Sequence, residues 1–381
     1  MNTLHKLLIK SLFLSLVFVL PVTGQISWSF NTSQEYNDNP FRTQFPEASI
    51  VSSYDLGMEI TLNKVEKPYS LSYYGSYNSF SSLTERNFFW HQLSLSKDFA
   101  SSSFILLAEQ RVNNQLYSYY NYSNLSAFYN YKLSVSDYYI NLQPNAVYAK
   151  YSQIPIMDNV KLGFNFRLNH GFDSETTLIF VSAFNHKIYL NPENNGIYSY
   201  FNDNDSLITE SFNDQNVSSI QQFNFAFRLA QSLGEKSGIA FQYTNKNILT
   251  NFSSKVKDLN TIYGDESEMF DDPVNSEGNN FLIEFTQILF DDFEIKLGYY
   301  LNKKLYPSQG VYDKNYNYLI NQTRKDDQSI FNLNLKKDFE LGETISSLSV
   351  GLNYQAIWNT SNSYLFNYKS NAVSLYLNMN L

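Results

Sequence analysis

The sequence predicts an all-β protein, a transmembrane antiparallel up-and-down β-barrel of about 16 strands (range 14–18), and three observations lead there. The first is alternation. Short segments from Gln25 to Leu381 place apolar and polar residues with period two, most cleanly in Ser329–Lys336, Gln222–Leu229 and Val373–Leu381. A strand turns successive side chains to opposite faces, so such runs carry one apolar and one polar face. The second is an amino-terminal segment of secretory type. The third is that connections between the segments alternate between short and long, as they do in barrels that cross a membrane.

The amino-terminal segment has Lys6 and Lys10, then an apolar run from Leu12 to Leu20, then Pro21-Val22-Thr23-Gly24. That run is too short to span a bilayer and fits a signal peptide over residues 1–24, cleaved after Gly24. No cysteine follows it, which excludes a lipoprotein anchor. Residues 25–381 are then expected to form a single barrel that starts directly in a strand, with no room for an amino-terminal plug.

Strands are predicted over 25–36, 48–62, 68–81, 87–99, 103–115, 122–133, 136–150, 157–170, 174–189, 217–232, 236–250, 279–290, 293–305, 327–339, 344–359 and 368–381. An even number is what a closed bacterial barrel requires. Even-to-odd connections are turns, such as Lys97–Ser101, Phe172–Ser174 and Leu233–Glu235. The long connections, near 190–216, 251–278 and 306–326, all fall in the odd-to-even class and are expected on the extracellular side.

Composition agrees with this reading. Phe and Tyr number 31 each, aromatic residues make up 17% and charged residues only 17% of the chain. No apolar run after residue 24 is long enough for a membrane helix. The absence of cysteine removes disulfides, thiol catalysis and zinc–thiolate sites. A net charge of −9 argues against a nucleic-acid partner.

Parity assigns the faces. Tyr54, Leu56, Met58, Ile60 and Leu62 point to lipid, as do Phe223, Phe225, Phe227 and Leu229. The opposite face is polar, and its charges are the expected solute path, because ionisable groups inside a membrane protein mark such paths. The lumen-lining candidates are Arg111, Lys132, Arg167, Arg228, Lys246, Glu294, Lys296 and Lys336, with Glu109, Lys161, Glu284, Asp55 and Glu59 beside them. Eight of these are basic and five acidic, so the wall is expected to be mildly cationic unless cross-strand ion pairs neutralise it.

The signal segment, the Tyr/Phe/Asn-rich strands and the amphipathic last strand together resemble a Gram-negative outer-membrane β-barrel protein of the porin type. Val373, Leu375, Leu377 and Met379 are similar to the signal by which barrel-assembly machinery recognises a terminal strand, with Leu381 standing where that signal has an aromatic residue. Glu35–Arg42 resembles the opening of porin-like barrels encoded near exopolysaccharide export genes. The resemblance implies an integral protein of the outer membrane, in contact with its lipid and lipopolysaccharide and with small solutes. It also implies a homotrimer as the assembly to expect, although no oligomer surface is readable.

No chemistry of catalysis stands out, and no cofactor is expected. His91, His170 and His186 lie in separate strands; His91 shares the lipid-facing parity, whereas Ser94 does not. Gly-rich phosphate loops and zinc-ligand spacings are missing. No metal site is assigned; the weak candidates are Asp265, Glu266, Glu268, Asp271 and Asp272, whose spacing matches no EF-hand. Tyr117, Tyr119, Tyr120 and Tyr122 cluster at the outer edge, where an interfacial girdle and a sugar-binding slide are alternative readings. The function expected is a channel for passive diffusion of small hydrophilic solutes. The alternatives are a barrel component of an envelope export or assembly system, for example for exopolysaccharide, and a structural or adhesive surface barrel.

Overall fold

The computed structural model describes residues 25–62, 69–191, 197–201, 207–211, 219–250, 276–290, 293–307, 309–342 and 347–381. The segment 1–24 and the acidic candidates Asp265, Glu266, Glu268, Asp271 and Asp272 lie outside them.

Hairpin after hairpin builds the wall. The strands are β1 (Gln25–Asn37), β2 (Ser49–Leu62), β3 (Tyr69–Phe80), β4 (Phe88–Asp98) and β5 (Ser102–Asn113). They continue as β6 (Tyr122–Val135), β7 (Tyr138–Tyr151), β8 (Asn159–Gly171) and β9 (Thr176–Tyr189). A connection then carries the short hairpin β10 (Ile197–Phe201) and β11 (Leu207–Ser211). The wall resumes with β12 (Ser219–Gly234), β13 (Ser237–Ile248), β14 (Glu277–Ile288) and β15 (Phe293–Tyr306). A second small hairpin, β16 (Val311–Tyr312) and β17 (Tyr318–Leu319), precedes β18 (Arg324–Phe339), β19 (Ser347–Ser361) and β20 (Tyr368–Asn380).

Sixteen of these strands close into one antiparallel barrel in chain order, with β10–β11 and β16–β17 outside the ring. All sixteen predicted segments correspond to a wall strand. Boundaries moved where local chemistry intervened. The strand predicted over 103–115 ends at Asn113, and Gln115 opens a 3-10 helix, Gln115–Tyr120. The predicted 306–326 connection is shorter, because β15 runs to Tyr306 and β18 starts at Arg324. The end of the predicted 251–278 connection is likewise strand, from Glu277.

The connections differ in length between the two rims. On one rim they are turns such as 99–101, 136–137, 172–175 and 235–236. On the other they run over 38–48, 190–218, 249–276 and 307–323. In outer-membrane barrels short turns face the periplasm and long loops the exterior, and the two rims are named by that rule.

Closure is made by β1 and β20, paired from Ser29↔Asn380 to Asn37↔Ala372. The chain end completes it, with Leu381 N donating to the Trp28 carbonyl at 2.9 Å. At the extracellular rim Asn371 donates through its backbone N to Asp38 Oδ1 (2.6 Å) and through Nδ2 to Asp38 Oδ2 (2.8 Å). Asn39 Nδ2 donates to the Lys369 carbonyl at 2.9 Å. The segment Glu35–Arg42 thus clasps the two ends of the chain. One interruption has a covalent cause. The β6–β7 ladder breaks between Phe128↔Asn145 and Tyr131↔Leu142, beside Pro144, whose nitrogen carries no hydrogen to donate.

The outward face is a belt of exposed apolar side chains that circles the barrel, including Leu56, Leu106, Phe164, Phe227, Ile283 and Leu352. Such a surface is costly in water and favourable in hydrocarbon. Near the periplasmic rim the ammonium of Lys97 sits 3.5 Å over the Tyr69 ring, a long cation held at the interface by an aromatic. A closed barrel with this belt is an integral protein of the outer membrane.

Candidate functional site: the lumen wall

The polar face points inward, where small and amide side chains predominate: Ser72 and Ser94 share a hydrogen bond at 2.6 Å, and Asn130 Nδ2 donates to Ser103 Oγ at 3.2 Å. Arg111, Lys132 and Arg228 stand beside the exposed apolar residues Val112, Leu133 and Phe227, and Arg167, Lys246, Glu294, Lys296 and Lys336 share the inward parity of their strands.

Ion pairs divide these groups into two sectors. Arg228 Nη2 lies 2.8 Å from Glu284 Oε1, Lys296 Nζ lies 3.7 Å from Glu294 Oε1, and Lys336 Nζ lies 2.8 Å from Asp338 Oδ2. These pairs, on β12, β14, β15 and β18, neutralise one another locally. By contrast, β6 and β8 point Lys132, Lys161 and Arg167 inward, and no inward acid stands on those two strands. The basic excess is an arc, not a uniform lining. Sequence reading missed Lys187, which is buried with its ammonium 4.6 Å over the Tyr189 ring. The parity from Ile179 to Tyr189 gives it away, although the apolar residues on both faces of β9 blur that signal.

A buried cluster at the extracellular end was also missed. Arg324 and Asp326 are 4% and 3% exposed. Arg324 donates from Nε to Asp326 Oδ1 at 3.1 Å, from Nη2 to Oδ2 at 2.5 Å, and from Nη1 to Gln309 Oε1 at 3.1 Å. The guanidinium is sandwiched between the rings of Phe366 (3.3 Å) and Tyr306 (4.0 Å). It ties the 307–323 connection to the wall, aided by Ser363 Oγ, which accepts from Tyr312 N at 3.0 Å.

The tyrosine group separates. Tyr117, Tyr119 and Tyr120 pack on one another in the 3-10 helix, Tyr117 stacked on Tyr120 at 6.1 Å and Tyr119 against Tyr120 at 4.4 Å. Tyr120 is fully buried, so these rings form a loop core. Tyr122 instead faces the lumen and donates to Glu109 Oε1 at 2.8 Å. The histidines stay apart as well. His91, on the lipid side, is within 2.8 Å of the Tyr73 hydroxyl, His170 stacks on Tyr138, and His186 meets Gln221.

No family model matches the chain, and no curated protein does. Among solved structures it is similar to a loop-deleted form of OmpT, an outer membrane protein of Vibrio cholerae, at 9% identity and a TM-score of 0.48, over 94% of this chain and 99% of that one. It is similar to OprD of Pseudomonas aeruginosa at 10% identity and 0.46, over 94% and 95%. It is similar to OpdK of Pseudomonas aeruginosa, solved with vanillate, at 7% and 0.46, over 94% and 98%. These likenesses say nothing of what passes through this barrel.

Proposed function

We propose that the chain is an outer-membrane channel through which small hydrophilic solutes diffuse passively. The observation that carries this reading is the closed ring of sixteen strands with a polar inner face. A ring of that number leaves an aqueous lumen, whereas an eight-strand ring is filled by its own side chains. The solute needs no chemistry from the wall, only water and a path.

The basic arc on β6 and β8 gives the channel a preference for anions. Inward charges act on a passing ion through a lumen whose low-dielectric wall focuses their field, and the effect weakens with salt. Reversal potentials across a salt gradient are expected to report anion selectivity. Replacing Lys161 and Arg167 together by Gln should move the reversal potential toward zero, most visibly at low ionic strength. Cation selectivity of the wild-type channel, or a reversal potential indifferent to both substitutions, would contradict this assignment.

A further inference from the structure

Aromatic residues on the outer face of a barrel belong to its interfacial girdle, but that does not account for aromatics on the inner face, where polar residues are the rule. This barrel has a group of them on one side of the lumen. Two inward rows cross adjacent strands. In one, Gly57, Tyr74, Gln92, Glu109 and Asn124 stand side by side from β2 to β6. In the next row toward the exterior, Asp55, Ser76, Trp90, Arg111, Tyr122 and Tyr151 do the same from β2 to β7.

The rings and the polar groups interlock. Tyr74 and Trp90 meet edge to face with centroids 5.6 Å apart, and Tyr122 and Tyr151 lie 6.0 Å apart. Glu109 joins the two rows: its Oε2 accepts from Gln92 Nε2 at 2.7 Å, and its Oε1 accepts from Tyr122 Oη at 2.8 Å and Asn124 Nδ2 at 3.2 Å. Tyr74 is within electrostatic reach of Asp55 and Asn31, and Tyr122 of Trp90. Arg111 is stacked on Phe88 at 3.6 Å, which holds the only cation of the patch against the wall. Every side chain stands on a wall strand, so the arrangement is fixed before any solute arrives.

Rings of fixed orientation beside planar carboxylates and amides suit one kind of solute. It has an apolar face to lie on an aromatic ring and a rim of hydroxyls to exchange hydrogen bonds with acids and amides. We propose that this patch is a saccharide-binding track, on which neutral sugar rings stack as they pass, with Trp90 and Tyr74 as platforms and Glu109, Gln92 and Asp55 as hydroxyl partners. The proposal deepens the channel reading and rests on it for the passage, though not for the binding.

Tryptophan fluorescence separates the two. The chain has three tryptophans, and Trp28 and Trp358 are both on the exposed outer face. In the refolded full-length protein carrying Trp28→Phe and Trp358→Phe, emission therefore comes from Trp90 alone. Titration with maltotriose, cellotriose and triacetylchitotriose is expected to give, for at least one of them, a saturable change in emission that polyethylene glycol of equal size does not produce. Adding Tyr74→Ala should weaken that binding by about tenfold. If none of the three sugars changes the emission more than the polymer does, the track is refuted. Bilayer conductance is read on the same protein. Conductance without a sugar response removes the track and keeps the channel, whereas a sugar response without conductance keeps the binding site and removes the channel.

Discussion

Replacing Phe227 by Arg is expected to destabilise the barrel in lipid by about 2–4 kcal/mol, the cost of a cation on the lipid face near the bilayer midplane. Phe227 is halfway along β12, points outward and is 39% exposed, with Phe223, Phe225 and Leu229 on the same face. Its neighbour Ala226 points to the opposite side, into water. The prediction is therefore a contrast between adjacent positions. Phe227→Arg should lower the denaturant midpoint of the protein folded into vesicles, while Ala226→Arg should leave it nearly unchanged. A one-residue slip of register would reverse the two outcomes, because it turns every side chain to the other face. Equal effects at both positions would mean that β12 does not separate lipid from water.

The second large effect is expected at Arg324. Removing one member of a buried ion pair leaves the other charge without compensation, at about 3–5 kcal/mol. Arg324→Met strands the Asp326 carboxylate, which is 3% exposed, and also gives up the contact to Gln309. The methionine still fills the slot between Phe366 and Tyr306, so the loss is mainly electrostatic. Adding Asp326→Leu should restore much of the stability, since a buried pair exchanged for apolar residues is often neutral. Limited proteolysis of the folded protein is expected to cut the 307–323 connection faster in Arg324→Met than in the wild type and at an intermediate rate in the double variant. If the single variant resists both denaturant and protease like the wild type, Arg324 does not anchor this loop.

How much of this was legible beforehand follows from what each signal depends on. Strand face is a property of parity, so Arg167 and Lys246 read as lumen-facing from their parity opposite to Phe166, Leu168, Phe241 and Tyr243. Sidedness is a property of chain length between strands, which made the turns near 172–174 and 233–235 readable. Clusters that join distant parts of the chain were not legible. Nothing local in Arg324-Lys325-Asp326 tells that Phe366 closes over the guanidinium, because that contact depends on where two extracellular connections meet. The inward patch was hidden for the same reason. Tyr74, Trp90 and Tyr122 are spread over three strands, and only the register brings them into neighbouring rows. Tyr122 carried a signal of its own, yet in the sequence it stands beside Tyr120, which belongs to a loop core.

The measurement that bears most directly on the account is single-channel conductance of the refolded protein in a planar bilayer. A closed ring of sixteen strands around water predicts stable, stepwise openings, with a reversal potential of the sign that the basic arc dictates. A protein that is folded by circular dichroism and heat-modifiable mobility, yet passes no current, would contradict the channel and leave a barrel whose surface or partner does the work.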